Sequence, residues 1–191
     1  MKYPTKQTKP TNEELIAANG RIVPDVIAPD LRVLFCGINP GLYTAATGYH
    51  FARPGNRFWP ALYASGFTNR LLAPFEELEL LESGYGITNV VARATAAAAE
   101  LSAAEFIEGG KILERKVRRL KPKFLAILGI GAYRAAFNQP KARLGRQSES
   151  IGDAVLWVLP NPSGLNAHHQ PKDLARMFTE LRLAVENECG E

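Results

Sequence analysis

Apolar residues recur along the chain in short runs broken by glycine, proline and charge. Leu31 to Cys36 reads L-R-V-L-F-C and stops at Gly37. A run that is nearly all apolar predicts a strand covered on both faces. Similar runs predict strands over Ile87 to Val91, Phe124 to Leu128 and Val155 to Leu159. Helix signals lie between them. Thr11 to Glu14 (T-N-E-E) and Ser102 with Glu105 have the spacing of capping boxes, and the second opens a helix running to about Leu120, before Pro122. Further helices are predicted over Arg57 to Ser65 behind Asn56 as N-cap, Pro74 to Glu82, Tyr133 to Phe137 and Lys172 to Glu186. Gly37 to Gly55 is long and glycine-rich and reads as a functional loop.

Strands alternating with helices predict the α/β class, as a three-layer α/β/α domain with a small, mostly parallel central sheet. Neither an internal repeat nor a long linker divides the chain. Residues 1–26 read as an N-terminal extension with a disordered lead, and residues 27–191 as one domain. In such a fold the loops at the carboxyl ends of the strands converge on the ligand crevice. Two of those loops are Asn-Pro turns: Gly37-Ile38-Asn39-Pro40-Gly41 after the first strand, and Pro160-Asn161-Pro162-Ser163-Gly164-Leu165-Asn166 after the last. Either alone is an ordinary turn former. The pair, with an exposed leucine expected in the second, points to a site.

Composition changes this picture little. The chain has 191 residues, 46% hydrophobic, with a formal net charge of +4. A mild positive excess suits a polyanion, because Lys and Arg displace counterions from phosphates. Two cysteines, Cys36 in an apolar run and Cys189 near the end, suggest a reducing, cytoplasmic setting and are too few for a four-cysteine iron–sulfur cluster. Residues 1–10 lack the apolar stretch of a signal peptide, and no apolar run is long enough for a membrane span.

Taken in order, the motifs become specific. Gly37-Ile38-Asn39-Pro40-Gly41, then Thr47-Gly48-Tyr49-His50-Phe51-Ala52, then Asn56-Arg57-Phe58-Trp59, and finally Asn161-Pro162-Ser163-Gly164-Leu165 resemble the mismatch-specific branch of the uracil-DNA glycosylase superfamily. That branch holds the bacterial mismatch uracil glycosylases and eukaryotic thymine-DNA glycosylase. The resemblance runs from about Ile27 to Ala184. It implies that Asn39 positions an attacking water and that backbone groups at Ile38 meet a flipped base. It also implies that Phe51 stacks on that base and that Asn161 stands across the pocket. Gly164, Leu165 and Asn166 match a wedge that fills the vacated space in the duplex. The family uses no metal and no organic cofactor. Its partner is double-stranded DNA carrying a G:U or G:T mismatch or an abasic site, bound by a monomer.

These roles are physically sound. A stacked base hides its sugar bond, so the nucleotide must be extruded. An apolar wedge offsets the lost stacking. Asn39 is an amide; it can hold a water but cannot take its proton.

The resemblance fails at one position. Where the family has aspartate or glutamate before the arginine of Val90-Val91-Ala92-Arg93, this chain has Ala92. With the second strand read as ending near Val91, Ala92 is expected at the same sheet edge as Asn39 and Asn161. A weakened or non-catalytic lesion binder on the same fold therefore remains a rival reading. A nucleotide-dependent Rossmann-like enzyme is disfavoured, since Gly129-Ile130-Gly131 has Arg134 in place of the third glycine. His168 and His169 read as exposed loop histidines, and the basic residues of 115–123 as a solvated helix face.

Overall fold

A sheet of five strands in the order β2-β1-β3-β5-β4 carries the molecule. A computed structural model describes residues 9–190. The strands are β1 (Val33–Gly37), β2 (Tyr85–Asn89), β3 (Phe124–Leu128), β4 (Gly145–Ile151) and β5 (Ala154–Leu159). The first four in spatial order are parallel; β4 pairs antiparallel with β5 at one edge. The helices are α1 (Asn12–Ala17), α2 (Leu42–Thr47), α3 (Phe58–Ala64), α4 (Ala103–Leu120), α5 (Ile130–Phe137) and α6 (Pro171–Cys189). Among the described residues no helix is long and apolar enough to cross a membrane.

Side chains alternate across the sheet and so build two cores. Val33, Phe35, Phe124, Ala126, Trp157 and Leu159 pack on one face against α3 and α6. Leu34, Cys36, Leu125, Ile127, Leu156 and Val158 pack on the other against α4 and α5. Three layers result, as the sequence pattern predicts. Two glycines let α4 approach closely. A Cβ on Gly109 would lie 2.3 Å from the Val90 carbonyl oxygen, and one on Gly110 would lie 2.4 Å from that of Ala136.

The capping boxes at Thr11 and Ser102 are both formed, and β3 has the predicted bounds. Three expectations need correction. The second strand begins and ends two residues earlier than its apolar run suggested, closing at Asn89 in register with Gly37. The loop of 37–55 contains the short helix α2, and Pro74–Ser83 winds as a 3-10 helix. Strand β4 gave no apolar signal because it is an edge, with only Ile151 buried. Within the N-terminal segment Ala18, Val23 and Val26 are buried, and Val26 exchanges backbone hydrogen bonds with Ile87 at 2.9 and 2.7 Å. Residues 1–8 of the expected lead lie outside the described residues.

Candidate active site

The carboxyl end of β1 opens into a cleft of about 240 Å³ lined by Ile38, Asn39, His50, Phe51, Asn89 and Asn161, among others. It lies below the size range of pockets for drug-sized ligands and suits one small ring. Gly37 forms its floor. A Cβ there would meet Asn89 Oδ1 at 2.5 Å and Phe51 Cζ at 3.3 Å, so only glycine lets both side chains close over the strand end.

Asn39 has its amide locked by geometry. Its Nδ2 donates to Thr95 Oγ1 at 2.7 Å, to the Arg93 carbonyl at 3.1 Å and to the Pro40 carbonyl at 3.2 Å. The Thr95 hydroxyl donates to the Ala97 carbonyl at 2.9 Å, which leaves it only lone pairs to offer Asn39. Three acceptors around one end fix that end as the NH2. The oxygen Oδ1 must point the other way, and among the described residues nothing donates to it.

Phe51 holds φ +54°, a left-handed conformation uncommon for a bulky residue. Its ring stacks on Phe58 with centroids 4.0 Å apart and planes at 28°. Phe58 is wholly buried, so Phe51 is backed by the core. The preceding turn is tied down by His50. Its backbone N–H donates to Glu77 at 2.7 Å and its carbonyl accepts from Trp59 Nε1 at 3.1 Å. Its ring Nε2 lies 2.9 Å from the Pro24 carbonyl, which requires the proton on Nε2. Burial pushes the His50 imidazole below its ordinary value and so favours the neutral ring. Burial likewise pushes the Glu77 carboxyl up to about 7, against the His50 N–H that favours its ionised form.

The second Asn-Pro loop stands over the cleft. Asn161 Oδ1 accepts from the Ser163 N–H at 3.0 Å, and the Asn161 carbonyl accepts from Asn166 Nδ2 at 3.0 Å. Asn166 Oδ1 in turn accepts from the His168 N–H at 3.1 Å. Asn166 therefore spends its side chain holding the loop together, while Leu165 stands 75% exposed beside it. Gly164 packs on the loop before α3: a Cβ on it would lie 2.4 Å from the Gly55 carbonyl oxygen. His168 is exposed as expected, whereas His169 is half-buried.

Residues 24–182 match the family description "Uracil DNA glycosylase superfamily". The chain belongs to that superfamily. Membership makes it a DNA glycosylase directed at uracil, a hydrolase of base-excision repair. The cleft brings together Ile38, Asn39, Phe51 and Asn161, with Leu165 at its rim.

Ala92 is not among them. It is exposed and lines an adjoining groove of about 280 Å³ with Val90, Gly109 and Ile112, which meets the cleft at Asn89. Because β2 ends at Asn89, the chain has already left the sheet edge by Ala92. It follows Gly37 and Ile38 through the Val90 and Val91 N–H groups, then bridges Ile22 from Arg93. The residue that the sheet does place in the cleft is Asn89, opposite Gly37. Sequence reasoning missed it, as it missed Thr95 and His50. A signal was available for Asn89: Tyr85-Gly86-Ile87-Thr88-Asn89 ends in asparagine just where a parallel strand meets the crevice.

Proposed function

We propose that this glycosylase removes uracil mispaired with guanine from double-stranded DNA, with thymine opposite guanine as a second substrate. The target nucleotide swings out of the stack and its base enters the cleft against Phe51. Leu165 occupies the gap it leaves. A water accepted at Asn39 Oδ1 is aimed at C1′ of the sugar. The N1–C1′ bond breaks, its electron pair leaves with the pyrimidine, and the sugar passes through an oxocarbenium-like state, as in glycoside hydrolysis. Water oxygen bonds to C1′, and a water proton ends on the departed base. Backbone N–H groups near Ile38 are suited to stabilise the negative charge that gathers on the ring.

The locked orientation of the Asn39 amide supports this reading most strongly. An acceptor with no donor among the described residues, beside a backed aromatic face, fits a site that holds water against a flat ring. Asn39 has no useful basicity, so the chemistry rests on positioning and on the leaving group. The rival lesion binder drew its support from the missing acid at Ala92. That support weakens, because Ala92 is exposed and lies outside the lining of the cleft. Single-turnover excision from duplexes containing G:U, A:U and G:T, with abasic-duplex binding measured in parallel, tests the proposal. Excision fastest from G:U agrees with it. Tight abasic binding without excision from any duplex would favour the binder.

A further inference from the structure

Arg57 lies just before α3, at the base of the loop that carries Leu165. Its backbone N–H donates to the Pro162 carbonyl at 2.8 Å. Its guanidinium reaches three more carbonyls of the same loop. Nη1 donates to His169 at 2.7 Å and to Asn166 at 3.2 Å, and Nη2 donates to Gly164 at 3.3 Å. Among the described residues no carboxylate pairs with it.

We infer that Arg57 is a positioning residue for strand-separating wedge insertion: it holds residues 162–169 in the shape that presents Leu165 before DNA arrives. This rests on the reading of Leu165 as the wedge.

The chemistry explains why an arginine fits. Between the end of β5 and the start of α6 the chain runs from residue 160 to residue 170 without regular structure. Such a segment leaves backbone carbonyls without ladder partners. Here the carbonyls of Gly164, Asn166 and His169 converge on one point, where their dipoles oppose one another. A planar cation with several fixed donors satisfies all three at once. Lysine has the charge, but its single nitrogen lacks the forked reach. An exposed leucine gives its loop no burial energy, so the order of the loop must come from elsewhere. Order present before binding is order that DNA contact need not impose, which raises affinity for the flipped state. Arg57 does not line the cleft around Asn39, so its effect on chemistry passes through the loop that it holds.

The experiment is a double-mutant cycle in the full chain. Arg57→Lys, Arg57→Met and Leu165→Ala are made singly, and each Arg57 change is combined with Leu165→Ala. Single-turnover excision from G:U duplex, abasic-duplex affinity and thermal midpoint are measured for all. A 2-aminopurine beside the uracil reports unstacking. Losing hydrogen bonds from a charged fork predicts that Arg57→Lys slows excision and weakens lesion binding roughly tenfold to a hundredfold, with delayed unstacking. In the Leu165→Ala background the same change is expected to cost less than about twofold, because coupled residues are not additive. If Arg57→Met does not fold, the lysine arm carries the test alone. Parental behaviour of Arg57→Lys overturns the inference, since charge alone would then suffice. So does an undiminished cost of Arg57→Lys in the Leu165→Ala background. If Leu165→Ala alone matches the parent, the wedge reading itself fails and the inference falls with it; a costly Leu165→Ala beside a harmless Arg57→Lys sinks only the inference.

Discussion

Thr95 Oγ1 and Asn39 Nδ2 lie 2.7 Å apart, and the threonine can only accept in that contact because its own proton goes to the Ala97 carbonyl. The pair joins the loop after β1 to the segment that leaves β2. Together with the Arg93 and Pro40 carbonyls, it fixes which end of the Asn39 amide faces the cleft. Thr95 is buried at 1% exposure, so its hydroxyl has no water to fall back on.

Thr95→Val keeps the shape and removes the acceptor. Leaving the Asn39 amide one partner short, and the Ala97 carbonyl without its donor, is expected to cost about 1–3 kcal/mol of stability. Excision should fall by roughly tenfold or more as the amide loses the shortest of its three tethers and is held less firmly. Thr95→Ser restores the hydroxyl and should recover most of the rate. A serine variant as slow as the valine variant would remove this role from the hydroxyl.

Gly37→Ala tests the floor of the cleft. The new Cβ would press on Asn89 Oδ1 and the Phe51 ring edge, both side-chain atoms able to give way. Stability is therefore expected to change by less than about 1.5 kcal/mol, in the range of mild overpacking. Excision should drop far more than the thermal midpoint suggests, because the groups displaced are those that line the cleft. Unchanged excision would show that the Asn89 and Phe51 positions matter little.

Glu77 supplies a pH signature. Its carboxyl, pushed up to about 7 by burial, has a folded value above the ordinary 4.5. The protonated form is thus favoured by folding. The stability it contributes is full below about 4.5 and is lost as pH rises through about 7. Glu77→Gln keeps an acceptor for the His50 N–H without a charge to bury. Relative to the parent, the variant should gain stability between pH 5 and pH 8, by up to about 3 kcal/mol. Urea denaturation of both proteins at the two pH values checks this. A difference that does not change with pH would contradict it.

Ala92→Asp, suggested by the family pattern, is expected to leave the rate within about twofold of the parent, far from the 10²–10⁴-fold of a placed general base. The side chain lines the groove that also holds Asp25, Glu105 and Glu108, and the one lysine there, Lys116, is already paired with Asp25, so a fourth acid gains mainly repulsion. Single-turnover excision across several pH values decides it. A rise of about a hundredfold would mean that the 89–95 segment moves when DNA binds.

Much of this architecture was legible in the residues. Strands buried on both faces announce themselves as apolar runs, and β3 and β5 fell where those runs fell to within one residue. The two Asn-Pro loops marked the cleft because a parallel sheet sends its carboxyl ends to one side. The miss at β2 came from the same signal. Val90 and Val91 are buried like strand residues but belong to the crossover beyond it. That two-residue shift exchanged Asn89 for Ala92 at the sheet edge. Thr95 and His50 act through partners 56 and 26 residues away in sequence, and such contacts leave no local pattern. Leu165 was readable as exposed, whereas the inward turn of Asn166 depended on hydrogen bonds within a folded loop.

The most direct measurement compares Asn39→Ala with the parent in single-turnover excision from G:U duplex, alongside affinity for an abasic duplex. If Asn39 Oδ1 holds the attacking water, the variant should lose about a hundredfold or more in rate, the scale of a misplaced reactant. Its lesion affinity should stay within a few-fold of the parent, because the amide faces the cleft and not the DNA backbone. An Asn39→Ala protein that cuts as fast as the parent, or one whose lost rate is matched by an equal loss of binding, would contradict a water-positioning role.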